Sequence, residues 1–391
     1  MGFVNEAKTL FKENIRDYGM YIALFVIMLT FTIMTDGLFI SSRNISNLLD
    51  SAGYIAVLAV GMTLVIVIRH IDLSVGFAAG FMGAIAAILL TRYGVPVFVT
   101  IPIILVLGVL IGLFNGTLVA KFGIPSFVAT LAGWLIFRGA LLRVTEGSGT
   151  IIIKNDAFNA IGNGYIPSIA QVNGLHLLTL LLGLVAILLY IYSEFSTRRN
   201  KLKYQFEVTS NSIFTFKLVF VSAIIAYITW ILAGYNGFSW TVIIMLLVVV
   251  VYHFLATKTV LGRHVYAVGS NPEAAHLSGI NVNKIIYIVF GSMGMLAALS
   301  GILFTSRLQS ATTTAGTLFE LDAVAAAYVG GVSSAGGVGK VTGAIIGAIV
   351  MASLSSGMNL LGVGVSMQYM IRGGVLAGAV IFDVMTRKKR G

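Results

Sequence analysis

Cysteine is absent from the 391 residues, which excludes disulfide frameworks, cysteine-ligated metals and thiol nucleophiles. Charge is scarce too: Asp, Glu, Lys and Arg make up 10% of the chain, against about 25% in a soluble globular protein. A water-soluble surface cannot be assembled from so few charges. The five histidines, His70, His176, His253, His264 and His276, show no metal-ligand spacing and no H-E-x-x-H run. The glycine-rich stretch before Lys340 fails as a phosphate loop, because Ser334 stands where the first glycine is required and Val341 follows the lysine. Gly-x-Ser-x-Gly is missing as well. The chain is therefore expected to be no enzyme and to hold no metal and no cofactor.

What the sequence does have is apolar length. Hydrophobic residues make up 58% of it, in runs of roughly 18 to 25 residues that each suffice to cross a hydrocarbon core. Lipid leaves no backbone group unpaired, so these runs are read as helices; the in-out alternation of a membrane barrel is not seen. Candidate spans cover 18–35, 53–69, 72–90, 97–119, 126–144, 175–192, 214–234, 238–256, 286–306, 322–331, 341–360 and 366–384. The expected fold is an all-α, polytopic integral membrane protein with about twelve transmembrane helices, one of them short and broken near 322–340. No loop exceeds roughly 30 residues, so residues 1–391 form a single transmembrane domain with a cytoplasmic loop at 257–285. Segment 39–50, too polar to span, is expected to lie along the outer interface.

The net charge of +11 does not point to nucleic acid, because the basic residues collect in loops and at the tail rather than along a recognition element. Arg198, Arg199, Lys201 and Lys203, together with Arg387, Lys388, Lys389 and Arg390, mark cytoplasmic flanks. With an even span count both termini fall inside, and 145–174 falls outside. The N-terminal segment shows no short apolar core with a small-residue cleavage site, so the first span is expected to be retained.

Polar residues within this apolar frame are the candidates for function. The run from Ala323 to Lys340 gives way from a short helix to glycine and serine, including Gly336 and Gly337; such a break requires protein or a water-lined cavity around its backbone. Glu320 and Asp322 precede it, and Asp72 and Ser74 stand in the same way before another Gly/Ala-rich helix. These residues are candidates for a gate or pathway, although capping of the helix starts fits the carboxylates equally well. Ile71-Asp72-Leu73 parallels Leu321-Asp322-Ala323 and suggests an internal repeat. Arg138, Arg143 and Arg372 lie within spans, where a charge faces a cavity or a partner or snorkels outward. Every acid is expected in a loop or at a span end, which disfavours a proton- or sodium-coupled carrier. Gly108, Gly112 and Gly116, Gly76 and Gly80, and Gly343 and Gly347 set small residues at four-residue spacing, the pattern of close helix packing.

Between the spans ending near Thr257 and starting near Ile286, a polar segment allows a short helix within 267–279. Asn271 suits its N-cap, Pro272 its first position, Glu273 its first turn, and Gly279 its stop. A docking element and a plain interfacial helix both fit that pattern. The pattern from Gly262 through Val282 resembles the ATPase-contact loop of bacterial ribose and xylose permeases of the ABC importer class. The resemblance extends through AVGMTLVIVIRHIDLSVG (59–76), IPSFVATLAGWLIFRG (124–139), ELDAVAAAYVGGVSSAGGVGKVTGAIIGA (320–348) and MIRGGVLAGAVIFD (370–383). It identifies the chain as a member of the permease family that also holds branched-chain amino-acid permeases. Extra hydrophobic material around 175–240 makes it similar to the xylose and multiple-monosaccharide types. The resemblance implies a permease subunit in a bacterial inner or plasma membrane that pairs with a second copy and forms a sugar pathway. Its implied partners are cytoplasmic ATPase subunits and an extracytoplasmic sugar-binding protein. The coupling residues would be Asn271, Glu273, Ala274, Ala275, Gly279, Ile280 and Asn281. An importer of amino acids or nucleosides in the same family is the alternative.

Overall fold

The computed structural model describes residues 15–388 apart from Asn173 and Glu207. Residues 1–14, on which the reading of an uncleaved start rests, and Lys389 and Arg390 of the basic tail lie outside the described residues. The described residues fold into fifteen α-helices with short strands between some of them. Seven come first: α1 (Ile15–Met34), α2 (Ser42–Val67), α3 (Val75–Thr91), α4 (Val97–Ala120), α5 (Ser126–Thr145), the short α6 (Asp156–Asn163) and α7 (Leu177–Lys203). They are followed by α8 (Asn211–Ala233), α9 (Trp240–Lys258), α10 (Val260–Ser270), α11 (Pro272–Leu277), α12 (Val282–Leu308), α13 (Phe319–Val329), α14 (Val341–Leu360) and α15 (Val365–Lys388). Among the described residues nine helices are long and apolar enough to cross a membrane, and α1 and α3 are apolar but shorter. With the 11-residue α13 they account for the twelve expected segments, and the break after α13 falls where glycine and serine predict it.

The frame is two helices, α2 and α12, each buried along most of its length. They run antiparallel: Tyr54 meets Ser300, Gly61 meets Met293 and Leu296, and Asp50 meets Arg307. Small residues set the packing distance around them. A Cβ on Gly112 would collide with the Phe290 carbonyl, and one on Gly347 with the Ala326 carbonyl, so α4 seats on α12 and α14 on α13 with backbones in contact. Contacts repeat in two sets: α4 and α3 pack on α12 as α14 and α13 pack on α2, and α5 leans on α3 as α15 leans on α13. Because α2 and α12 are antiparallel, the two sets are inverted with respect to each other. The internal repeat suggested by two tripeptides is thus present in the architecture, as helices α2–α5 and α12–α15.

Each set contains an interrupted element. A non-helical segment, 68–74, leads into α3, and a run of turns, 313–318, leads into α13. Their helix starts meet: Gly76 lies against Gly316 and the Glu320 carboxylate, and Gly80 against Ala315. Outside the repeat, α7 and α8 form a hairpin that packs mainly on itself, so most of the surface of α7 faces outward.

Three expectations need correction. Segment 39–50 is not a separate interfacial helix: residues from Ser42 onward continue into α2, capped by Ser41, whose side chain accepts from the Asn44 amide. Its polar residues find partners in other segments, since Asp50 is buried, accepts from Ser239 and pairs with Arg307 at 3.3 Å. Asp50 also overturns the reading that every acid sits in a loop or at a span end. The 145–174 stretch, lastly, is more than a loop: β1 (Thr150–Ile152) pairs antiparallel with β4 (Ser310–Thr312), and α6 ties down by the Asn163 amide, which donates to Ser306 at 2.8 Å.

Candidate functional site

The segment between α9 and α12 forms two helices rather than one. Asn271 ends α10 in extended conformation and caps α11, accepting from the Ala274 amide at 3.0 Å, with Pro272 at the first position and Glu273 in the first turn. The chain then turns at Gly279 with φ +84°, and Asn281 caps α12 by accepting from the Lys284 amide at 2.9 Å. Only Ala275 of the short helix is buried, and Ile280 is half-buried; Asn271, Glu273, Ala274, Gly279 and Asn281 are exposed. Leu277 projects from the same element at 87% exposure, more than any other large apolar side chain described. It is held outside by a capped, proline-started helix. Sequence reasoning passed over Leu277 because one leucine among so many carries no signal until its surroundings are known.

The C-terminal end of α10 is fastened to both halves of the repeat. Arg69, at φ +65° just past α2, donates from Nε to the Gly269 carbonyl at 2.6 Å and from its guanidinium to the Ser270 carbonyl. The Gly337 amide donates to the Val67 carbonyl at 2.8 Å. Gly336 and Gly337 take φ +78° and +70°, and a side chain at either would run into Arg69, Gly269 or Ser270. The Tyr266 hydroxyl, kept neutral by burial that raises its pKa, donates to the Gly339 carbonyl at 2.6 Å. Asp383 in α15 holds the other side of the loop, accepting from the Ser334 amide at 3.0 Å and its hydroxyl at 2.9 Å. The 330–340 turn, the end of α2 and the α10–α11 segment are thus one connected body, a link that neither glycine pair announces in the sequence.

The acidic candidates separate into different surroundings. Asp72 is fully buried and closes a local turn onto Ser74, the N-cap residue of α3: its Oδ1 accepts from the Ser74 amide at 2.9 Å and the Ser74 hydroxyl at 2.6 Å, and Ser74 in turn accepts from Asn115 at 2.8 Å. Glu320 and Asp322 sit in the first turn of α13 without capping it; Leu318 occupies the N-cap with no side-chain bond. Glu320 instead accepts from Trp134 Nε1 of α5 at 3.0 Å. Asp322 pairs with Arg372 of α15 at 3.2 Å, and Arg372 also donates to the Ser355 hydroxyl of α14 at 2.9 Å. That pair borders an outward-opening cavity of about 280 Å³ lined by Leu318, Leu321 and Tyr369. Arg143 pairs with Glu146 on the surface at 2.6 Å. Arg138 lies over the rings of Phe77 and Trp134, at 5.4 and 5.3 Å from their centroids. The candidates therefore fall into two groups: Gly336 and Gly337 join the α10–α11 segment, while Asp72, Ser74, Glu320 and Asp322 surround the two interrupted helix starts. Among the described residues no cluster of three metal-ligating side chains occurs.

Residues 44–380 match the family model described as branched-chain amino acid transport system / permease component. The chain is 41% identical to the xylose transport system permease protein of Haemophilus influenzae, over 96% of this chain and 98% of that protein. It is 38% identical to the corresponding xylose permease protein of Escherichia coli, over 96% and 93% of the two chains. The ribose import permease protein of Haemophilus influenzae is 34% identical over 93% and 91%. No solved structure matches the chain.

Proposed function

The chain belongs to the branched-chain amino acid transport system permease component family, and from that premise we propose that it is the multi-pass permease subunit of an ATP-driven monosaccharide importer. The proteins it resembles at 34–41% identity are named as xylose and ribose permeases, which supports a monosaccharide over an amino acid. ATP hydrolysis resides on a separate chain, and an extracytoplasmic binding protein delivers the sugar. The permease works as a homodimer in the bacterial inner or plasma membrane, with both termini on the cytoplasmic side. Its pathway runs along the faces that α5, α13 and α15 leave open.

One observation carries this reading: α11 presents an exposed apolar residue, Leu277, just after α10, which is bonded to the end of α2 through Arg69 and to the 330–340 turn through Tyr266 and Gly339. A partner seated on α11 has a covalent and hydrogen-bonded route to the 330–340 turn and to α13. The segment 271–281 is the ATPase-coupling element, and 336–337 is the hinge through which its motion reaches the gate. The test is uptake of labelled xylose, ribose and leucine by cells that lack their own carriers and express the chain with its ATPase and binding protein. ATP-dependent pentose uptake without leucine uptake is the expected result; leucine uptake alone would transfer the chain to the amino-acid branch of the family.

A further inference from the structure

Arg138 stands near the middle of α5 and is exposed, yet among the described residues no carboxylate pairs with it; its contacts are the rings of Phe77 and Trp134. A guanidinium within a span faces water or another molecule rather than hydrocarbon. Trp134, one turn earlier on the same helix, is half-buried and spends its indole N–H on Glu320 Oε1. The other carboxylate oxygen, Glu320 Oε2, is buried without a hydrogen-bond partner, while Glu320 as a whole is 5% exposed. A buried oxygen left unpaired is costly, and a ligand hydroxyl would satisfy it. It sits against Gly76, where the starts of the two interrupted helices α3 and α13 meet. Thr317 and Leu321, on either side of Glu320 in the chain, are exposed, so the carboxylate lies just beneath an open face.

We infer that this meeting point of α3, α5 and α13 is a contact site for a neutral monosaccharide in transit, with Glu320, Trp134 and Arg138 as its contacts. The inference rests on the importer reading above. The chemistry selects the ligand: a carboxylate lone pair accepts from a hydroxyl, a guanidinium donates to another, and an indole ring covers the C–H face of a pyranose. One negative and one positive side chain sum to zero, so the site gains nothing from an ion. A zwitterionic amino acid could set its ammonium against the unpartnered Oε2, so the comparison with leucine below is the arm that tests the choice of ligand. The site is suited to weak, transient contact, because most of Trp134 and all but the edge of Glu320 are covered in this conformation and open as α13 moves against α5.

The chain has three tryptophans, Trp134, Trp230 and Trp240, so a Trp230→Phe/Trp240→Phe background leaves Trp134 as a local fluorescent reporter. Purified permease in that background, without binding protein, is titrated with xylose up to 100 mM, a range set by the millimolar scale of weak sites at about −4 kcal/mol. A saturable change in Trp134 emission is expected with xylose and none with leucine at equal concentration. Glu320→Gln, which still accepts from the indole, is expected to weaken the apparent affinity at least tenfold, and so is Arg138→Gln, whose exposed position spares the core. No saturable change in the background, an equal response to leucine, or unchanged titrations in both variants would overturn the site. Uptake separates this from failure of the importer reading: if the unmodified permease imports xylose in cells while both variants import at the same rate, the site is wrong and the importer stands. Absence of pentose uptake by the unmodified complex removes both.

Discussion

At Gly337 the backbone has φ +70° and an added Cβ would meet Ser270, so even alanine carries strain of about 1–3 kcal/mol. Gly337→Ala is expected to reach the membrane at parental levels and to lose most sugar uptake, because the strain falls on the hinge and not on the bundle; parental uptake in a well-expressed variant would show that the turn does not move. Asp322 and Arg372 invite the opposite experiment. Removing one partner of a largely buried ion pair costs about 3 kcal/mol or more, so Asp322→Asn should lower the thermal unfolding midpoint of the purified protein. The apolar double variant Asp322→Leu/Arg372→Met should recover most of that loss if the pair only joins α13 to α15. Residues of this kind were legible in unequal measure. The local bonds of Asp72 to Ser74 follow from their spacing and need nothing beyond the local chain. The bond between Glu320 and Trp134 joins positions 186 apart in sequence, and no local pattern encodes it.

Among the elements, α11 is the most directly testable. Its N-cap bond makes Asn271→Ala worth about 1 kcal/mol of local helix stability, a change that leaves membrane insertion alone. Bulk on its exposed side acts on docking instead: Ala274→Trp is expected to insert and purify normally while losing co-elution with the ATPase and binding-protein-stimulated ATP hydrolysis. Leu277→Ser should have the same effect through loss of an apolar anchor, weakening association by about 2 kcal/mol or roughly thirtyfold if Leu277 is a central contact. Normal co-elution of both variants would exclude 271–281 as the coupling element. The cap, the proline and the stop at Gly279 could all be read in advance, since each is a local backbone requirement. The division into α10 and α11 could not: the bend at Asn271 is held by Arg69, which approaches from the far end of another span. The continuity of α2 through its polar start escaped for the same reason, because Asp50 is tolerable in a helix only once Ser239 and Arg307 are beside it.

For the molecule as a whole, the segregation of contacts gives the topology a cleaner test than its basic loops alone. Lys201 and Lys154 are both exposed, whereas Asn163 bonds to Ser306 and is a poor position to alter. The chain contains no cysteine, so single Lys201→Cys and Lys154→Cys variants report without background. An impermeant reagent applied to spheroplasts is expected to label position 154 and spare 201; the reverse pattern would invert the whole assignment. The twelve segments were legible because each is a contiguous apolar length; the repeat was hinted at only by the aligned Asp72 and Asp322, and its inversion was not legible, because the related helices share almost no sequence. That repeat gives the fastening of α10 a mechanical meaning. Helix α10 is bonded at its C-terminal end to Arg69, which leads into the first interrupted helix, and through Tyr266 to Gly339 of the turn that follows the second. It therefore acts as a yoke, delivering one stroke to two opposed levers whose tips touch at Gly76 and Glu320. If 271–281 couples to the ATPase as proposed, a half-shifted state in which only α3 or only α13 has moved would be strained at the yoke itself, and the expected transport stroke is a single concerted step.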